Sequence, residues 1–189
     1  MGFNITGDPR ADALLDENAF ALVTAMLLDQ QFPMERAFAG PARLAERFGP
    51  LEPSAVAAAD ADEFAALCAR PPAVHRYPGS MATRIQALAA HIVDEYAGDT
   101  AALWRDVDTG AELLARVKAL PGFGAQKAAI FVALLGKQLG VQPAGWQRAA
   151  GAYGDDGTFR SVADVVDAGS LAKVRAFKQE QKAAARTGR

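Results

Sequence analysis

Gly122-Phe123-Gly124, followed by Gln126 and Lys127, is the segment of this 189-residue chain whose residue types and spacing best suit the capture of an anion. Glycines at 122 and 124 permit positive φ and remove the side chains that hold a phosphate away from a backbone. A helix opening at Ala125 points its first N–H groups outward, with the positive end of the helix dipole behind them. Lys127, in the first turn of that helix, is placed to add a charge-assisted contact to the same phosphate or its neighbour. A second set of cations, Lys173, Arg175, Lys178 and Lys182, falls in the C-terminal tail. Contacts of this kind position a polyanion without reading its sequence.

Other chemistry is largely excluded by composition. Cys68 is the only cysteine, so an intramolecular disulfide, a four-cysteine zinc site and a cysteine-ligated iron–sulfur cluster are ruled out. His75, in a Pro-rich loop, and His91, in a helical pattern, cannot make a metal site unaided and read as solvated or capping residues. No metal and no cofactor are expected. The net charge of −2 hides an asymmetry: residues 1–112 hold 17 Asp/Glu against 8 Lys/Arg, a net of −9, while residues 113–189 hold 5 against 12, a net of +7. A positive C-terminal half can approach phosphates while the acidic half limits non-specific binding. The longest uncharged runs, 20–28 and 128–136, fall far short of the roughly 20 residues that span a bilayer. The first ten residues carry no secretory-signal pattern. A cytoplasmic protein is expected, nucleoid-associated if bacterial, with no membrane partner.

The elements that must position these groups are helical. Ala and Leu dominate the expected helices, and apart from the short 162–166 segment no alternating β-branched run of strand length occurs, so the chain reads as all-α. Residues 19–30 have the apolar density of a buried helix that Pro33 should end or bend. A second helix is expected over 35–48, stopping at Gly49-Pro50, and Asp60 is a plausible N-cap for a third that runs through Cys68. Over 81–96, Ile85, Leu88, Ile92 and Val93 share one face. A short helix starts at Asp99-Thr100, and the 112–119 helix leads through a five-residue hairpin into a long apolar helix over 125–138. A loop at 140–143, a short helix at 144–152 and a basic helix at about 170–185 complete the pattern. The whole is expected to be one domain over 1–189, with two helical lobes around a cleft.

Leu120-Pro121-Gly122-Phe123-Gly124, a three-residue spacer and Ala128, flanked by two helices, resembles the helix-hairpin-helix of the HhH-GPD DNA glycosylase superfamily, which includes endonuclease III and the adenine and 3-methyladenine glycosylases. Leu27-Leu28-Asp29-Gln30-Gln31-Phe32-Pro33 is similar to the family segment in which an apolar helix ends in a glutamine near the DNA. By that resemblance Gln31 is the residue that wedges into the duplex as the target base leaves, where its amide fills the vacated space and bonds the orphaned base. Residues 81–92 look like the family helix that follows a loop and packs across the helical barrel. In all, the resemblance covers about 18–153. It implies a DNA-binding role in base-excision repair, with damaged duplex DNA as the partner of a monomer, and contacts from Gln31, Gly122, Phe123, Gly124, Gln126 and Lys127 together with the basic tail.

The sequence departs from the family at the residues that carry chemistry. Bifunctional members place a lysine nucleophile two residues after the second hairpin glycine, which here is Gln126; Lys127 is one residue further and about 100° around the helix. Lyase chemistry is therefore disfavoured, and a monofunctional N-glycosylase, in which water attacks the sugar, fits Gln126. Catalytic members also carry an aspartate after a Gly/Pro-rich loop, and Gly145 or Trp146 stands in that place. Asp29, Asp155 and Asp156 are the acids that could reach the cleft from another direction, with loop or cap roles as their bland reading. Trp104, Phe123, Phe131 and Trp146 either stack on an extruded base or fill core; Phe131 is assigned to core and Trp146 to a base pocket. The alternatives are a lesion-binding protein of the same fold without catalysis and a helical protein-interaction domain that binds no DNA.

Overall fold

The computed structural model describes residues 2–187, and among them there is no strand. Eight residues in, Asp8 accepts from the Arg10 N–H and Pro9 follows it, starting α1 (Pro9–Glu17). Asn18 ends α1 and caps α2 (Ala19–Leu28), and two short helices, α3 (Met34–Phe38) and α4 (Gly40–Phe48), follow. Then come α5 (Pro53–Ala58), α6 (Ala61–Ala69), capped by Asp60, and α7 (Pro78–Tyr96). A 3-10 turn at Thr100–Leu103 leads to α8 (Gly110–Lys118), the hairpin and α9 (Ala125–Gln138). The chain closes with α10 (Trp146–Ala150), 3-10 turns at Gly151–Tyr153 and Val162–Asp164, and α11 (Ala168–Thr187).

The all-α expectation holds, and the differences have local causes. The 35–48 helix is two helices, because Gly40 passes so close to Leu28 that a Cβ would lie 2.6 Å from its Cδ1, and Pro41 lacks the N–H that would continue the ladder. Proline in the first turn starts α1, α5 and α7 as well, since its fixed φ suits N1 and its missing N–H has no partner to lose there. The 162–166 segment is a 3-10 turn closed by a capping box between Ser161 and Asp164 rather than a strand.

The architecture is built around α2. Every residue from Phe20 to Leu28 is buried, so this helix has no polar face and must be wrapped on all sides. One group of helices packs α5 and α6 on α7 and α4 on α6, reaching α2 through α4 and α7. The other packs α8, α9 and α10 on one another, with the Val162–Asp164 turn on α9. The two chain segments that enter α8 and α10 are stitched together by Gly110 N–H to Ala144 O (2.8 Å) and Ala144 N–H to Asp108 O (3.1 Å). Beyond the turn, α11 crosses back to the first group, where Lys178 meets the Met34 sulfur at 3.9 Å.

Candidate nucleic-acid interface

The hairpin between α8 and α9 is held from within. Thr109 caps α8 by accepting from the Glu112 N–H, and Leu113 and Val117 face the core. The turn closes with Phe123 N–H donating to Leu120 O at 3.1 Å, and Gly122 takes a φ of +83° that a side chain rarely adopts. Gly124 corrects the expectation for the second glycine: its φ is −76°, ordinary extended backbone. What matters there is space. A Cβ at 124 would have nothing within 4 Å, Gly124 is the N-cap of α9 with no side-chain cap bond, and Gly122, Gly124, Ala125 and Gln126 are all exposed. The first amides of α9 therefore open onto solvent, where an anion can reach them.

Phe123 and Lys127, expected at the ligand, face inward. Phe123 is buried at 5 % exposure and meets Phe131 edge-on with ring centroids 6.0 Å apart; it anchors the turn rather than offering a stacking face. Lys127 reaches across to the end of α2 and donates to the carbonyls of Met26 (2.7 Å), Leu27 (2.9 Å) and Asp29 (3.4 Å). An ammonium group at a helix C-terminus answers both the orphaned carbonyls and the negative end of the dipole. Burial pushes its pKa down from 10.5 to about 8, Asp29 opposing and Arg84 and Lys178 adding to the fall. The unfolded chain then binds more protons than the folded one between pH 8 and 10.5, so the stability of the wild type relative to Lys127→Met should rise with pH through that window. Denaturant melts of both proteins across that range check this; a flat difference would mean the amine is solvated.

The same lysine fixes the loop that follows α2. Asp29 (φ −74°, ψ 68°) and the Gln30 N–H to Leu28 O bond (2.8 Å) make an inverse γ-turn that ends the helix two residues before the expected 30. Gln31 comes next, exposed and in the left-handed region at φ +52°. Holding a non-glycine residue there costs about 1 kcal/mol and is sustained by its surroundings. Gln30 supplies them: its amide donates to Leu27 O at 2.8 Å and accepts from Arg84 at 3.1 Å. Beside Gln31 opens a groove of about 240 Å³ lined by Gln30, His75, Tyr77, Ser80, Met81 and Arg84. Tyr77, 47 % exposed, and Arg84 were not singled out by sequence reasoning; the Tyr77-Pro78 start of α7 was the available signal.

The remaining predicted residues divide between this loop and the far end of α9. Lys178 pairs with Asp29 at 3.7 Å and Arg175 pairs with Glu35, so these two tail cations clasp the wedge loop and α3. Lys173 stacks over the Phe159 ring at 4.3 Å, and Lys182 is exposed. Of the three acids, Asp29 lies at the loop, beside Lys127. Asp155 and Asp156 are exposed near Lys137, whose Nζ donates to Asp155 O (2.6 Å) and pairs with Asp164 (2.6 Å). Lys137 is about 15 Å along α9 from Lys127. Trp146 is at that end too, lining a depression of about 340 Å³ and lying against Gly136, where a Cβ would come within 2.8 Å of its ring. Trp104 and Phe131 pack edge-on at 6.0 Å. Gln126 stays on the exposed side and donates to the Tyr153 hydroxyl at 2.9 Å, a partner that sequence reasoning missed.

The hairpin with its exposed amides and the left-handed glutamine at the end of an apolar helix are thus joined from beneath by one lysine. A family model described as HhH-GPD superfamily base excision DNA repair protein matches residues 24–187. The chain belongs to the HhH-GPD superfamily. The matched span begins inside α2, takes in both the Gln31 loop and the hairpin, and extends past residue 153, where the resemblance was expected to stop, through α11. No curated protein and no solved structure matches the chain. Among the described residues of this HhH-GPD chain, no three His, Cys, Asp or Glu side chains come together as a metal site, and no helix is long and apolar enough to cross a membrane.

Proposed function

We propose that this HhH-GPD protein is a monofunctional DNA N-glycosylase that removes a damaged or mismatched base from duplex DNA. The observation that carries the reading is Gln31: an exposed glutamine in a left-handed conformation, tied through Lys127 to the helix whose N-terminal amides form the phosphate site. A duplex seated on the hairpin through a phosphate presents its stack to Gln31 in one register, so binding and base extrusion are mechanically linked. The monofunctional assignment rests on the amines. Position 126 carries an amide bonded to Tyr153, and the Lys127 amine is occupied by three carbonyls, so neither supplies a Schiff-base nucleophile. Hydrolysis instead adds water at C1′ and breaks the N-glycosidic bond, and the base leaves with the proton on its nitrogen. Asp29 is the acid best placed to activate that water, being beside the wedge while Asp155 and Asp156 are at the other end of α9.

A second reading, a lesion-binding protein that leaves the glycosidic bond intact, is favoured by one specific observation. The position of the family aspartate falls at Gly145 and Trp146, and the Trp146 ring lies on Gly136. Duplexes carrying uracil, hypoxanthine, an alkylated purine, 8-oxoguanine or an abasic analogue separate the two. Alkali-revealed cleavage with one base, reduced about 10²–10⁴-fold by Asp29→Asn and unaffected by Asp155→Asn and Asp156→Asn, is the expected result. Tight lesion binding without cleavage would establish the second reading. Gln31→Ala should weaken binding to the lesion or abasic duplex more than to intact duplex, and equal losses would remove the wedge assignment.

A further inference from the structure

His75 is a buried imidazole, 2 % exposed, that neither the hairpin nor the chemistry above employs. Its two nitrogens bond to two different segments. Nδ1 accepts from the Tyr77 N–H at 3.0 Å, which requires the proton to be on Nε2, and Nε2 lies 3.0 Å from Gln30 O, to which it then donates. One ring therefore bonds the backbone immediately before Gln31 to the backbone of the exposed Tyr77, which lines the same groove. The ring is packed at 4.7 Å from Phe32 and 6.0 Å from Tyr77, so it cannot swing to exchange these partners freely. Adding a proton at Nδ1 would set an N–H against the Tyr77 N–H and break the second link.

We infer that His75 is a positioning residue, holding Gln31 and Tyr77 as one rigid jaw of the DNA site only while its imidazole is neutral, so that preference for a distorted duplex is lost on acidification. This rests on the wedge reading of Gln31 given above. The charged groups around the ring favour the neutral form. Lys127 of α9 and Arg84 of α7 both disfavour a third cation, while Asp29 in the wedge loop is paired with Lys178 of α11; Arg76 and the Tyr77 phenol flank it on its own segment. Burial pushes the His75 pKa below its ordinary 6.5, with the bonds to the Gln30 and Leu28 backbone opposing and Lys127 and Arg84 reinforcing. The neutral state is thus favoured at pH 7 and is lost as pH falls below 6.5.

The test uses the full chain, with an abasic-analogue duplex and its intact counterpart as probes. The ratio of the two affinities should fall about tenfold as wild type is taken from neutral to acidic pH, the loss of roughly one net hydrogen bond. His75→Gln keeps the donor to Gln30 and His75→Asn keeps the acceptor for Tyr77; neither titrates, so each should show a reduced ratio that no longer varies with pH. His75→Leu should lose both links and the preference, with binding to intact duplex retained. A wild-type ratio independent of pH, or a folded His75→Leu protein with full preference, overturns the inference. Hydrogen exchange of DNA-free protein gives a second readout. Segments 29–32 and 75–78 should exchange faster together in His75→Leu and in acidified wild type. Faster joint exchange in a protein without lesion preference at any pH would sustain the coupling and reject the wedge reading, whereas unchanged exchange would reject the coupling itself.

Discussion

Alanine at Gly124 should leave the fold intact and weaken duplex binding about tenfold or more, whereas alanine at Gly122 should destabilise the protein before it affects the DNA. Gly124 has an ordinary φ of −76° and open space where a Cβ would go, so nothing in the folded chain resists the substitution. The added methyl instead occupies the approach to the first amides of α9. Hydrogen bonds to a charged phosphate are worth about 1.5–3 kcal/mol each, so displacing one from contact costs about tenfold or more in affinity. The slope of log affinity against log salt should become shallower by roughly one phosphate contact. Gly122 differs on both counts. Its φ of +83° disfavours alanine by about 1–2 kcal/mol, and the Cβ would lie 2.6 Å from Leu27 Cδ1 in the core. Denaturant melts and fluorescence-anisotropy titrations on the two variants separate these effects. A Gly124→Ala protein with wild-type affinity and salt dependence would remove the hairpin from the DNA site.

The largest loss of stability should follow Gly110→Ala. A Cβ there would lie 2.6 Å from Trp146 N and 2.8 Å from the Gly145 carbonyl carbon, both backbone atoms that cannot step aside one by one. The clash forces apart the two strands of chain joined by the Gly110–Ala144 and Ala144–Asp108 bonds, so overpacking and two lost hydrogen bonds combine to roughly 3–5 kcal/mol. Gly136→Ala should follow closely, because Trp146 lies on that position. Gly79→Ala, in the first turn of α7 with nothing near its Cβ, is the control and should be neutral or slightly stabilising. Thermal melts rank the three; equal behaviour of Gly110→Ala and Gly79→Ala would mean that α8 and α10 do not meet as described. Trp146 is thereby tied to the packing of α8, α9 and α10, and any role in a base pocket has to be played from the end of α9 away from Gln31.

Much of the candidate site was legible because its signals are short-ranged. The hairpin is recognisable from glycine spacing between two helical patterns, and Gln31 from its place after an apolar run. α1 is legible too: Asp8-Pro9 is a side-chain N-cap followed by an N1 proline, of which α7 shares only the proline. The charge asymmetry concentrates the cations in the C-terminal half of the chain, yet two of them are spent on Asp29 and Glu35 across the molecule.

What the amino-acid sequence by itself determined was the helical class, most helix boundaries and the turn that presents α9's amides, since these depend on residues within a few positions of one another. Only the tertiary structure decided where the polar side chains go. Lys127 finds its partners 98 to 101 residues away, and His75 finds the Gln30 carbonyl 45 residues away. A lysine in a first helical turn has the same local surroundings whether it faces a phosphate or the end of a buried helix. The choice is made by which helix packs alongside, and that is a property of the assembled core.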